Sequence, residues 1–248
     1  MNNARTVSFD RVADTYDATR ALPEDVMALA VDKLAGALER HDCRTVLDAG
    51  VGTGRFAAPL QRRGFEVCGL DVSREMLEKA RVRPVTNLFR GDLRRMPFQD
   101  RSFDAAIAMH VLHLIKEWRE ALRELGRVAR TGLFSVVSIP DNKDWPSTEY
   151  RKLLLSHGIP EPHQGIHERD LILLVPPTES ENVTTHIEEK HTAEVLDNLD
   201  RRIYSFQWDV PEDVHRHIMG NLRERYTGRR VTGARELRVC FWDFSLFR

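Results

Sequence analysis

Apolar residues fall along this chain in two alternating rhythms. Short runs rich in apolar residues centre on Val46-Leu47, Val67-Cys68-Gly69-Leu70, Val85 to Arg90, Ala105 to Met109 and Gly132 to Ile139, the fourth of them unbroken. They predict five strands, the continuous fourth one covered on both faces and the fifth closed by Pro140. Between them the apolar positions recur every three or four residues. Val26, Leu29, Ala30, Leu34, Ala37 and Leu38 predict the buried face of a helix from Pro23 to near Arg40, with Glu24 and Asp25 in its first turn, where the helix dipole favours acids. Further helices are predicted from Arg55 to Gly64, from a Ser73 cap to Ala80, and through Trp118, Leu122, Leu125 and Val128. Phe9, Val12, Ala13 and Tyr16 predict one more over 8–20. Strand and helix in alternation predict a parallel α/β sheet.

Past Asp141 the pattern thins. Leu153 to Leu155 and Leu171 to Leu174 predict helices ended by Pro160 and by Pro176-Pro177. Asn182 to Lys190 predicts a sixth strand, Thr192 to Ile203 and Pro211 to Tyr226 two helices, and Arg235 to Phe244 a last strand.

The candidate chemistry sits at the strand ends. The first run continues as Asp48-Ala49-Gly50-Val51-Gly52-Thr53-Gly54 and opens a helix. Glycines let a turn take tight dihedrals and admit a ligand to the backbone, and the amides at the helix start favour an anionic group. The spacing is not the G-x-G-x-x-G of dinucleotide folds, and no Gly-Lys-Ser/Thr follows. Asp48 suits a ligand carrying positive charge. The second run delivers Asp71, placed to accept from ribose hydroxyls, and the third delivers Gly91-Asp92-Leu93.

Val-Leu-Asp-x-Gly-x-Gly-Thr-Gly resembles the first motif of class I S-adenosylmethionine (SAM) methyltransferases. Asp71 with Ser73 and Met76, Asp92, Met96-Pro97-Phe98 and Ser102-Phe103-Asp104 extend the likeness to the small-molecule, type 11 or ubiquinone-biosynthesis-like branch. The resemblance implies a Rossmann-like, doubly wound, seven-stranded sheet, mostly parallel with an antiparallel last strand, plus a helical cap. It implies one methyltransferase domain over 1–248: a SAM-binding core at 8–140, a sixth strand and cap insertions over an acceptor pocket at 141–232, and the last strand at 233–248. It implies that Asp48, Ala49, Gly50, Gly52 and Gly54 hold the methionyl end of SAM, that Asp71 and Val72 hold the ribose, and that Met76, Gly91, Asp92 and Leu93 hold the adenine. Met109 and His110 line the sulfonium. Phe9-Asp10 through Tyr16-Asp17 resembles the family's lid, so Tyr16 and Arg20 are candidates for the cofactor carboxylate. The expected product is S-adenosylhomocysteine (SAH), and the acceptor a small molecule with an O, N or C nucleophile. His110 is the candidate general base, against a plain wall residue. Arg201, Tyr204 and Trp208 are the candidate acceptor contacts, against aromatics that only pack a hinge. Asp104 is expected to fix a strand start.

Composition narrows this further. Formal charge is −1 over 248 residues, so no basic field argues for nucleic acid. The Asn/Asp-Pro-Pro motif of base-amine methyltransferases is absent after the fourth run. Cys43, Cys68 and Cys240 are scattered, which predicts buried thiols and a cytoplasmic protein. No run reaches the roughly 20 apolar residues of a membrane span, and none reads as a leader. His157, His163 and His167 lack a carboxylate or thiol to complete a metal set, so no metal is expected. An RNA methyltransferase, a non-catalytic SAM-binding protein and an NAD-dependent oxidoreductase stand as alternatives.

Overall fold

The computed structural model describes residues 17, 22–160 and 165–247. The expected helix over 8–20, with Tyr16 and Arg20, lies outside the described residues apart from Asp17, and so does His163.

Among the described residues the order is α1 (Glu24–Arg40), β1 (Thr45–Ala49), α2 (Ala57–Arg62), β2 (Glu66–Asp71), α3 (Arg74–Val82), β3 (Leu88–Arg90), β4 (Ala105–Ile107), α4 (Trp118–Val128), β5 (Gly132–Asp141), α5 (Pro146–Ser156), α6 (Glu168–Leu174), β6 (Glu179–His191), α7 (Thr192–Asp200), α8 (Glu212–Tyr226) and β7 (Arg230–Asp243). The strands form one sheet in the order β3-β2-β1-β4-β5-β7-β6. β1 lies parallel to β2 and to β4, β2 to β3 and β4 to β5, while the last strands are antiparallel. Val46 pairs with Val67 on one side and Ala105 on the other. The chain winds outward from β1 to β3, returns to β4 and then winds the opposite way. That reversal opens a crevice at the carboxyl ends of β1 and β4, where doubly wound sheets bind ligands.

Several expected elements differ: the last strand begins at Arg230, not Arg235, and the helix from Thr192 ends at Asp200, not Ile203. β3 starts at Leu88, not Val85, because Asn87 sits at φ 55 and breaks the extended run. β5 passes through Pro140 to Asp141; proline fits extended backbone and harms only where its missing N–H must bond. On α1 Leu29 is 38% exposed, and Val31 and Ala35 take its place in the buried face.

The chain divides into two compact units. The first comprises Met1–Ser138, Gly165–Thr184 and Leu237–Arg248. Its core joins α1 (Leu34, Leu38) to Val46, Val67, Ile107 and Phe134 of the strands. Asp104 anchors β4 to β1: its carboxylate accepts from the amides of Arg44 at 2.8 Å and Thr45 at 2.7 Å, from the Thr45 hydroxyl at 2.9 Å, and from Arg130. Burial pulls its pKa up, but those bonds outweigh it and hold the carboxyl below the usual range.

The second unit comprises Ile139–Gln164 and Thr185–Glu236. It has its own core of Tyr150, Leu154, Leu199, Phe206, Ile218 and Leu222, contributed chiefly by α5, α7 and α8. Tyr150 Oη and His215 Nδ1 share a buried hydrogen bond at 2.6 Å. Burial and the Arg202 charge hold the His215 pKa below its ordinary value.

Candidate functional site

β1 ends in a turn that the sheet itself fixes. The amides of Gly50 and Val51 both donate to Leu70 O, at 2.8 and 3.0 Å, so the first glycines are bound to the neighbouring strand. Gly50 and Gly54 take φ +82° and +79°, and a Cβ on Gly50 would come within 2.6 Å of Val111 Cγ2. The turn therefore needs glycine both for its dihedrals and for the close approach of the segment after β4.

Asp71, at the tip of β2, reaches across this turn. Its Oδ2 accepts from the Gly52 amide and its Oδ1 from the Ser73 amide, each at 2.9 Å. A carboxylate has about four acceptor positions, and these two bonds fix its plane at the mouth of the turn. Ser73 in turn caps α3 by accepting from the Met76 amide at 3.1 Å, and Met76 is buried. Asp48 is 3% exposed. Burial, with repulsion from Asp71, pushes its pKa up to about 7. Burial and the Asp48 charge push the Cys68 thiol up to about 12, which makes it an inert thiol at neutral pH.

Asp92 is held differently. Its two oxygens accept from the Arg94 guanidinium at 2.6 to 3.1 Å, and Oδ1 also accepts from the Arg94 amide at 2.9 Å. These bonds lower its pKa. Arg94 also donates to Glu117 at 2.8 Å. Sequence reasoning missed Arg94, because its pairing to Glu117 joins the loop after β3 to the start of α4 across 23 positions. It missed the support below as well: Glu124 accepts from the Met96 amide at 2.9 Å, and Arg127 donates to Met96 O and Phe98 O at 3.1 and 2.8 Å.

The segment after β4 packs on the glycine turn through Val111. Met109 Sδ accepts from the Val136 amide at 2.9 Å, and His110 has φ 53°. A left-handed histidine is uncommon and marks a constrained site. Another missed residue, Asp17, receives a hydrogen bond from Thr53 Oγ1 at 2.8 Å and pairs with Arg83 at 2.5 Å. It sits at the end of the lid-like motif and is tied to the glycine turn.

Glu168 is the fifth residue that sequence reasoning missed. It is 4% exposed, and its carboxylate accepts from the Val111 amide at 3.1 Å. Burial raises its pKa against the opposing pull of backbone amides that include those of Val111, Leu112 and His110. His113 and His167 stack beside it with centroids 4.5 Å apart and planes 13° apart. Donor atoms of His113, His167 and Glu168 all lie within 4.8 Å of one another. A metal ion needs in-plane lone pairs that converge on one point. Nearly parallel rings direct theirs alongside one another, so the cluster is a packed ring pair beside a carboxylate.

The residues expected to meet an acceptor lie in the second unit. Tyr204 stacks on Phe206 at 5.4 Å, Trp208 Nε1 donates to Arg202 O at 3.1 Å, and Arg201 pairs with Asp197 at 3.6 Å. Among the described residues no helix is long and apolar enough to cross a membrane.

Residues 47–136 match a family described as "Methyltransferase domain". A malonyl-[acyl-carrier protein] O-methyltransferase of Serratia marcescens is 36% identical over 135 residues, 53% of this chain and 51% of that protein. A demethylmenaquinone methyltransferase of Beutenbergia cavernae is 35% identical over 147 residues, 57% of this chain and 60% of that protein. The chain spans about half the length of these relatives. Among solved structures, a putative methyltransferase from an antibiotic biosynthesis pathway of Anabaena variabilis superposes with TM-score 0.54 at 17% identity, covering 84% of this chain and 96% of that one. The YcgJ protein of Bacillus subtilis superposes with TM-score 0.51 at 17% identity, covering 86% and 98%. At such identities these two likenesses speak for the fold alone.

Proposed function

Residues 47–136 are a class I, SAM-dependent methyltransferase domain of the type 11 branch, and from that premise we propose that the whole chain transfers a methyl group from SAM to a small-molecule acceptor. The single observation that carries the reading is the glycine turn at the sheet's switch point. It is crossed by the Asp71 carboxylate, with Asp48 buried beneath it and Asp92 beyond the next strand.

These residues fit the cofactor. The positive-φ turn with no side chain at Gly50, Gly52 and Gly54 gives the methionyl end backbone to rest on. Asp71, at the tip of β2 and bonded to the Gly52 and Ser73 amides, is the proposed acceptor for the ribose hydroxyls. The Arg94 guanidinium already bonds both oxygens of Asp92, the proposed acceptor for the adenine amino group. Ala49, Val72, Gly91 and Leu93 supply backbone beside these acids, Met76 and Met109 apolar contact, and Tyr16 and Arg20 the remaining contacts in this reading. When bound, the cofactor supplies an electrophilic methyl on a sulfonium.

The chain's own part is alignment. His110 and the glycine turn bound one end of the crevice, and holding donor and acceptor in line at a near-attack distance of about 3 to 3.5 Å removes most of the entropic barrier. Exclusion of water strengthens the local electrostatics. His110 takes the acceptor proton where the acceptor is a hydroxyl or amine.

Calorimetry with SAH tests this reading. Binding by the native chain, weakened at least about tenfold in Asp71→Ala by loss of hydrogen bonds to a charged group, supports it. Equal heats for the two proteins, or none, would sink it. Formation of SAH on incubation with a metabolite extract, and not with RNA, separates a small-molecule enzyme from an RNA enzyme and from a non-catalytic binder.

A further inference from the structure

The turn after β4 is held by residues 165–168, a stretch far from it in sequence and outside every recognised motif. Three independent contacts make the attachment. Glu168, buried, accepts from the Val111 amide at 3.1 Å. The Gly165 amide donates to His113 O at 3.2 Å, and the two backbones are so close that a Cβ on Gly165 would lie 2.1 Å from Leu112 O. His167 stacks on His113 at 4.5 Å. On its other side the same turn presses Val111 onto Gly50, where a Cβ would come within 2.6 Å. Residues 110–113 are thus clamped between residues 165–168 and the glycine turn.

A buried carboxylate is an uncommon way to hold backbone. It pays off chemically because it only accepts, and the groups it faces are N–H donors at the start of a one-turn 3-10 helix, Leu112–Leu114. An amide side chain of the same size would turn a donor toward those donors. The clamp keeps His110 in its left-handed conformation at φ 53°, which a free turn would leave.

We propose that Glu168 is a positioning residue for methyl transfer: with Gly165 and His167 it fixes His110, Val111 and Leu112 against Gly50 and so sets the wall that meets the sulfonium end of the cofactor. The inference rests on the SAM reading of the glycine turn. It does not involve the nucleoside end, which Asp71 and Asp92 govern.

That separation gives the test. In full-length Glu168→Gln, SAM affinity falls about tenfold, the effect of leaving one buried donor unmatched. Adenosine affinity, read by NMR titration, stays within about twofold, because adenosine has no sulfonium end. Backbone amides of residues 110–112 exchange faster with deuterium, and those of β4 do not. Glu168→Asp, which keeps an acceptor at shorter reach, recovers part of the SAM affinity. Gly165→Ala, which pushes Leu112 from the backbone side with the carboxylate intact, gives the same selective loss and serves if the Gln variant does not fold. SAM and adenosine weakening together would show a general loosening and overturn the inference. So would unchanged SAM affinity, or unchanged exchange at 110–112. A native chain that binds adenosine and SAM normally while Glu168→Gln shows no selectivity defeats the clamp alone. A native chain that binds neither defeats the cofactor reading beneath it.

Discussion

Asp48 shows how one residue is asked to serve two ends. Its pKa stands near 7 because burial, and then Asp71, disfavour the charged form. An acid whose folded pKa is raised stabilises the fold fully below its unfolded value, near 4, and loses that contribution as pH climbs through the folded value near 7. Asp48→Asn keeps the shape and drops the charge. Urea unfolding should find the variant no more stable near pH 4, increasingly more stable up to pH 7, and level above it. The ceiling is roughly 4 kcal/mol, since the shift is about three units at about 1.4 kcal/mol each. The same variant should bind SAH more weakly at pH 8, because the negative charge that destabilises the empty turn is what meets a cationic amine. A variant that is both more stable and equally tight would show that the charge has no ligand to face.

At the scale of elements, the sheet is registered by polar fastenings as well as by apolar burial. Asp104 joins the start of β4 to the start of β1 through Arg44 and Thr45 and reaches Arg130 ahead of β5. Asp104→Ala should cost about 2 to 4 kcal/mol at pH 7, since hydrogen bonds to a charged group are worth about 1.5 to 3 kcal/mol each and are not additive. Its pKa is depressed, so this stability is present above about pH 4 and lost as pH falls through the folded value. The gap between variant and native should therefore narrow in acid; a gap independent of pH would mean that the loss is packing and not charge. The same elements show what the sequence made legible. The glycine turn and Ser73 are local, and Asp71 and Asp104 sit at strand ends that apolar runs announce, so both were legible although the partners of Asp104 lie 59 and 60 positions away. Asn87 shortened β3 because a single left-handed residue leaves no periodicity to read. Arg94, Glu124 and Glu168 escaped because no apolar run ends at them and their partners lie 23, 28 and 57 positions away. A charged residue in a loop looks solvated until the fold brings its acceptor or donor to it.

For the molecule as a whole, two separate cores imply that a ligand of the glycine turn reaches the chain's stability through the first unit. A ligand that binds only the folded state stabilises it by RT ln(1 + [L]/Kd), about 2.7 kcal/mol at a hundredfold excess over Kd. In a domain of 150 to 250 residues each kcal/mol moves the melting midpoint by about 2 to 4 °C, so SAH at that excess should raise the first unit's midpoint by about 5 to 10 °C. Hydrogen exchange should place the added protection at Gly50 to Gly54, Asp71 to Met76 and His110 to Leu112. The buried amides of α8, in the other core, should gain little. NADH at the same excess should leave the midpoint where it was, because the glycine spacing and the Asp48 carboxylate give its pyrophosphate no seat. Calorimetric melting with each compound distinguishes the outcomes. A shift with NADH equal to that with SAH would return the turn to the dinucleotide class. Protection spread evenly over both cores would mean that the two units unfold as one, so that occupancy of one small turn governs the whole chain.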